Sequence, residues 1–323
     1  MKKALVVGIN YYPNAGSLHG CVSDAYAVSQ VLMRHMDGQL NFDVKPVTAV
    51  DAKSAVTRKQ LKADVISLFA DDSEIALLYF AGHGHVEDAG GYLVTSDCSD
   101  GDDGLPLEEV MNFANDSKAK NKILILDSCY SGAAGTPKSL GDKALLSEGM
   151  TILTASSKDQ YAQEANGSGV FTSLFVDAMN GGAANLLGDI TPGSIYAHID
   201  QSLGAWEQRP IFKTNVKAFT SLRKVAPPIQ LSDLKQITVL FQTPSYEFPL
   251  DPSFEPQPPA PNHGILADPA NNAKFAILQK LNRLNLVKPV GEDHMYFAAM
   301  NSKPCRLTVL GEHYWNLINK GRI

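Results

Sequence analysis

Short runs of apolar and β-branched residues recur along the first half of the chain at 4–9, 43–50, 74–81, 122–127 and 150–155, each bounded by Gly, Asp, Asn or Ser. Runs of this length with such boundaries predict strands. Amphipathic segments lie between and after them, at 24–36, 57–71, 107–116, 170–179 and 191–203, with Thr57 placed to cap the second. Alternating strand and helix predicts an α/β fold, a mostly parallel sheet flanked by helices on both faces. In such sheets functional groups gather in the crevice outside the carboxyl ends of the strands.

The pattern breaks over 226–269, where ten prolines from Pro227 to Pro269 displace regular structure. This stretch is expected to be an extended connection with one strand at 237–241. Beyond it the chain predicts a helix at 272–284, a hairpin built from 286–299 and 305–310, and a closing helix at 311–319. The expected domains are therefore 1–225, a connection at 226–269, and a small α+β module at 270–323.

Composition adds mainly exclusions. A length of 323 residues, 44% hydrophobic and 19% charged with a net charge of −6, describes a globular chain with no basic surplus for nucleic acid. The apolar run at 4–9 is too short for a secretory signal core, and no stretch reaches membrane-spanning length, so a cytoplasmic protein with no membrane partner is expected. The four cysteines, Cys21, Cys98, Cys129 and Cys305, form no CxxC pair, which argues against a disulfide framework or a zinc site.

The candidate chemistry lies at two strand ends. The run 76–81 leads into Gly82-His83-Gly84, and 123–126 leads into Asp127-Ser128-Cys129. Neighbouring parallel strands about 4.8 Å apart would bring His83 and Cys129 within reach. A thiol with an ordinary pKa of about 8.5 needs a neighbouring imidazole to become a nucleophile, and the same imidazole can protonate a leaving amine. Read singly, His83 is as much a loop residue as a base, and Cys129 a small buried hydrophobe. Read together they form a nucleophile and its partner. Glycine permits close approach of a carbonyl, so the Gly84 N–H, with that of Cys129, is the candidate oxyanion donor.

The segments 4–12, 18–25, 79–84, 127–132, 153–157, 161–164 and 169–174 together resemble the caspase-like cysteine peptidase superfamily, in its metacaspase and prokaryotic caspase-homologue branch. The resemblance covers roughly the first 215 residues. It departs at Tyr130, where metacaspases often carry His, and at Ala81, where they often carry Ser. The spacing from His83 to Cys129 fits the separation of about 50 residues in caspases.

The resemblance implies a cysteine endopeptidase in which Cys21, Asp24 and Asp127 line the pocket for an Arg or Lys before the scissile bond. Two carboxylates facing a guanidinium give that preference its physical sense. The bland alternative makes Asp24 a helix N-terminal carboxylate and Asp127 a satisfied strand-end acceptor. The resemblance also raises calcium dependence, for which Asp97, Asp100, Asp102 and Asp103 are the candidates, although they lack an EF-hand pattern and fit an exposed acidic turn better. No metal site and no organic cofactor is expected. Self-cleavage is expected within 133–149, at Lys138 or Lys143.

The C-terminal module faintly resembles a winged helix. Its charges are nearly balanced, and Lys274, Lys280 and Arg283 are too few for a DNA-recognition helix. Regulation fits better, through a sensed ligand such as a nucleotide-derived signal, since prokaryotic caspase homologues often join a protease to a sensor in defence or cell death. Tyr296, Phe297, Tyr314 and Trp315 would line such a pocket or form core; His294 and His313 read as structural. Two rival readings are a catalytically silent adaptor and a self-processing winged-helix regulator.

Overall fold

β-Branched and aliphatic runs bounded by turn residues do form the strands of a central sheet. The computed structural model describes residues 1–87, 90–128, 145–155, 164–165, 168–204, 209–257 and 266–323. The chain divides into two units, Met1–Pro227 and Pro228–Ile323.

The first unit opens with β1 (Lys2–Ile9), α1 (Cys21–Met33), β2 (Phe42–Ala49), α2 (Arg58–Phe69) and β3 (Ile75–Ala81). Three short strands follow, β4 (Gly84–Glu87), β5 (Gly90–Leu93) and β6 (Leu105–Pro106), then α3 (Leu107–Asp116) and β7 (Asn121–Asp127). After β8 (Met150–Thr154) come the small strands β9 (Glu164–Ala165) and β10 (Ser168–Gly169), then α4 (Val170–Asp177), β11 (Asp189–Ile190), α5 (Pro192–Ser202), β12 (Ile211–Asn215) and β13 (Arg223–Lys224).

The main sheet runs β12-β8-β7-β3-β1-β2, parallel except where β12 lies antiparallel on β8. All seven residues of β3 are buried, as a central strand covered on both faces requires. Ala76, Leu78 and Phe80 pack with α2 and α3 residues such as Leu61, Val65 and Val110. Ile75, Leu77, Tyr79 and Ala81 face the other way, toward Ala25, Phe171, Phe175 and Ile199 of α1, α4 and α5.

Local chemistry sets the helix ends. Thr57 caps α2 by accepting from the Gln60 N–H, as expected. The first helix begins at Cys21 rather than at 24, because the Asp24 N–H already donates to the Gly20 carbonyl, and it ends at Met33, where Arg34 turns extended and bridges to Leu40. The edge strand β12 and the β4–β6 excursion were not expected.

The second unit contains α6 (Leu231–Lys235), α7 (Ile237–Leu240), α8 (Pro269–Arg283), β14 (Val287–Pro289), α9 (Met295–Met300), β15 (Cys305–Leu307) and α10 (Val309–Asn319). The stretch 226–269 is thus more than an extended connection: Leu234, Ile237, Leu240, Phe241, Leu250 and Phe254 are buried in this unit. The strand expected at 237–241 is instead the helix α7, because a four-residue apolar run has no periodicity to separate the two. β14 and β15 pair antiparallel, but the expected hairpin is interrupted by α9, which buries Met295, Ala298 and Ala299. Phe241, Phe248, Phe254 and Phe275 form a chain of ring contacts at 6.1, 5.9 and 6.2 Å, and the Trp315 Nε1–H donates to the Phe241 carbonyl at 2.6 Å. Among the described residues no helix is long and apolar enough to cross a membrane.

Candidate active site

His83 owes its position to the end of β3. A Cβ at Gly82 would lie 2.4 Å from the Tyr12 hydroxyl, so the chain passes that ring only as glycine. The next amide, His83 N–H, donates to the same hydroxyl at 2.9 Å, and Tyr12 lies 3.4 Å from the Val94 carbonyl as its donor. Burial raises the Tyr12 pKa well above its ordinary value, which keeps that hydroxyl protonated. The His83 and Tyr12 rings pack at 4.6 Å, tilted by 56°.

His83 Nε2 lies 2.6 Å from the Gly16 carbonyl. A carbonyl oxygen only accepts, so Nε2 carries the proton and a neutral ring presents Nδ1 as its acceptor. The tautomer follows from this hydrogen bond. Neither Tyr12 nor Gly16 was singled out from the sequence, because a loop between β1 and α1 reaches the site only through the fold.

Gly84 begins β4 opposite Leu93. The Val94 N–H donates to the His83 carbonyl, so Gly84 and Leu93 form a non-hydrogen-bonded pair and the Gly84 amide takes no part in pairing with β5.

β3 and β7 are neighbours, with Ala81 in register with Asp127. His83 and Cys129 each follow that pair by two residues. Cys129 itself, with Lys138 and Lys143, lies outside the described residues.

The carboxylates expected in the pocket converge. Asp24, in the first turn of α1, and Asp127, at the end of β7, are 3% and 7% exposed. Asp24 Oδ2 accepts from the Gly169 N–H at 2.9 Å, and Asp127 Oδ2 from the Thr172 hydroxyl at 2.6 Å. A Cβ at Gly169 would sit 2.5 Å from Asp127 Oδ2 and 3.3 Å from Asp24 Oδ2, so both carboxylates flank this one glycine. They gather at the N-terminus of α4, where the helix dipole favours negative charge. Cys21 is buried beside them, and its carbonyl lies 2.3 Å from where a Gly8 side chain would begin. Tyr79, fully buried beneath, has its pKa raised by desolvation first and then by Asp127 and Asp24.

The acidic turn is tied into the loop. Asp97 accepts from the Arg58 N–H at 2.9 Å and from the Thr95 hydroxyl at 2.7 Å, and Asp103 accepts from the Ser99 N–H at 2.7 Å, which lowers its pKa.

In the second unit, Tyr296 and Phe297 point outward, 37% and 47% exposed, while Trp315 is half-buried and spends its N–H on the backbone. His294 packs near Phe297, and His313 near Tyr314. An open cavity of about 1040 Å³ lies here, with Glu247, Lys288, Arg306, Glu312 and His313 in its wall.

Residues 1–235 match the peptidase family described as Caspase domain. An 89-residue stretch is 30% identical to Metacaspase-1 of Scheffersomyces stipitis, covering 26% of this chain and spanning only 21% of that relative's length. Among solved structures, a protein of Geobacter sulfurreducens aligns with a TM-score of 0.52 at 18% identity, over 71% of this chain and 98% of that one. Caspase-1 of Spodoptera frugiperda aligns with a TM-score of 0.50 at 13% identity, over 69% and 90%. At these identities the structural likeness is one of fold. With the family match extending over most of its length, the chain belongs to the caspase-domain family of cysteine peptidases.

Proposed function

We propose that this chain hydrolyses peptide bonds after Arg or Lys, with Cys129 as nucleophile and His83 as its base. The observation that carries the reading is the His83 ring, pinned by its Nε2–H to the Gly16 carbonyl so that Nδ1 is the basic atom at the carboxyl end of β3. Nδ1 takes the thiol proton, and the thiolate adds to the scissile carbonyl carbon. The oxygen of the tetrahedral intermediate accepts from the Gly84 N–H. Collapse breaks the C–N bond as His83 returns the proton to the leaving amine, and a water deprotonated by Nδ1 hydrolyses the thioester.

The buried carboxylates Asp24 and Asp127 support a basic residue before the scissile bond, since a guanidinium or ammonium offsets two like charges held close together. In this reading Lys138 and Lys143 lie in the segment open to self-cleavage. The second unit receives the activating signal, a small molecule such as a nucleotide-derived ligand, within a cytoplasmic defence or cell-death pathway. Calcium at the acidic turn is a further candidate switch.

The test is release from fluorogenic peptides ending in Arg, Lys or Asp, with the wild type, Cys129→Ala and His83→Ala, with and without calcium and with extract of stressed cells. Release after Arg or Lys is expected, falling at least about a thousandfold in either variant. Release after Asp would keep the dyad and overturn the pocket. Turnover that survives Cys129→Ala would overturn the mechanism.

A further inference from the structure

The first turn of α4 holds more than a helix start. Thr172 Oγ1 donates to Asp127 Oδ2 at 2.6 Å, and Tyr79 Oη lies 2.6 Å from that same Oγ1. A threonine hydroxyl has one proton, here spent on the carboxylate, so Tyr79 is the donor to Thr172. The three groups form a one-way chain from Tyr79 through Thr172 to Asp127. Tyr79 and Thr172 are at most 1% exposed, and water does not compete for these bonds. Desolvation raises the Tyr79 pKa and keeps that hydroxyl a donor.

Nothing in the packing of this face demands hydroxyls at Tyr79 and Thr172. Their neighbours, Leu77, Ile125, Phe171 and Phe175, are apolar, and a phenylalanine and a valine would match them in shape. Ala81, in register with Asp127 on β3, brings no side-chain donor, and Thr172 of α4 brings a hydroxyl to this carboxylate. We propose that Thr172, held by Tyr79, is a positioning residue that fixes the plane of the Asp127 carboxylate and thereby makes the pocket prefer Arg to Lys. The inference rests on the basic-residue reading above. A guanidinium is a planar fork that needs a carboxylate fixed in orientation, whereas an ammonium is a compact charge tolerant of rotation. Loosening Asp127 therefore penalises Arg more than Lys.

The experiment measures kcat and KM on matched Arg and Lys peptides with the full chain, as wild type, Thr172→Val, Thr172→Ser and Tyr79→Phe. Thr172→Val should lower kcat/KM about tenfold for Arg and less than about threefold for Lys, mostly through KM, as expected for a lost charge-assisted hydrogen bond. Thr172→Ser, which keeps the hydroxyl, should retain the Arg preference. An equal loss on both substrates would mark Thr172 as structural and overturn the proposal, as would an unmoved ratio. If the valine variant does not fold, Tyr79→Phe decides: it should shift the same ratio in the same direction by about threefold, and no shift overturns the proposal. A wild type that cleaves after neither basic residue overturns the basic-pocket reading and this proposal with it. An active wild type with a fixed ratio overturns the proposal alone.

Discussion

The two ends of the parallel sheet differ in the side chains they gather, although backbone bonds such as Gly82 N–H to Asp127 and Tyr11 N–H to Ala49 cross the carboxyl end as well. At the amino end the backbone closes on itself: Glu74 N–H donates to the Met1 carbonyl, Lys120 N–H to Ser73, Lys122 N–H to Gly149, and Gly149 N–H to Asn215. Even the buried Lys122 spends its ammonium on the Glu148 carbonyl. At the carboxyl end, the imidazole of His83, the carboxylates of Asp24 and Asp127 and the hydroxyls of Tyr12 and Thr172 bond to one another or to backbone groups of the surrounding loops. Backbone closure fixes a fold, but it offers a substrate little that can exchange a proton or turn to bind. Side-chain closure leaves groups that can do both. The comparison makes a sharp demand: substitutions at the carboxyl end should change turnover while largely sparing stability, and substitutions at the amino end should do the reverse.

Outside the Cys129–His83 pair, the largest effect is expected at Asp127. Asp127→Asn keeps the shape and an oxygen able to accept from Thr172, but removes the charge that would face a basic side chain. Losing one partner of a desolvated charge pair corresponds to a fall of about a hundred- to a thousandfold in kcat/KM on Arg and Lys peptides. Peptide kinetics beside a urea melt would check it. A large fall in stability with KM unmoved would show that this carboxylate serves the fold, and the contrast between the ends would fail.

Much of this contrast was legible in the sequence. The apolar run that became β3 leads into Gly82-His83 and the one that became β7 ends in Asp127, so these strand ends and the chemistry placed there could be read together. Thr172 was not legible, because one threonine inside a Val-Phe-Thr-Ser-Leu helix start looks like ordinary core, and only the fold sets it against β7. Tyr12 was hidden for the same reason. The second unit was misread at 237–241 and in the hairpin, since runs of three or four apolar residues carry no period to choose helix from strand. The proline-rich stretch misled differently: proline excludes regular structure but does not prevent burial, and Pro252 and Phe254 pack inside the unit.

The second prediction breaks the comparison from the other side. Gly149 has φ of +85°, and a Cβ there would sit 2.2 Å from the Lys120 carbonyl oxygen, a backbone atom that cannot swing aside. Gly149→Ala should cost about 2–3 kcal/mol from left-handed strain and the forced shift of β7 or β8. Chemical denaturation would measure it, with KM for Arg peptides expected to stay within about twofold. A tenfold rise in KM in a variant that still folds would mean that strain at the amino end reaches the pocket.

The smallest effect is a slope with pH. Burial lowers the Lys122 pKa from its ordinary 10.5, and Glu148 opposes the shift only in part. In the unfolded chain the amine keeps its proton up to the ordinary value, so between the folded and unfolded values the unfolded state binds more protons. Stability from this group therefore rises with pH across that alkaline window and is least where Lys122 is charged in both states. Lys122→Met removes the titration while keeping the length of the side chain. The difference in unfolding free energy between wild type and Lys122→Met should grow in favour of the wild type as pH rises toward 10.5. Kinetic constants at neutral pH should not distinguish the two. A difference that shrank with rising pH would mean that the Lys122 ammonium is stabilised by its carbonyl contact more than it is penalised by burial, and the amino end would then hold a charge for its own sake, as the carboxyl end does.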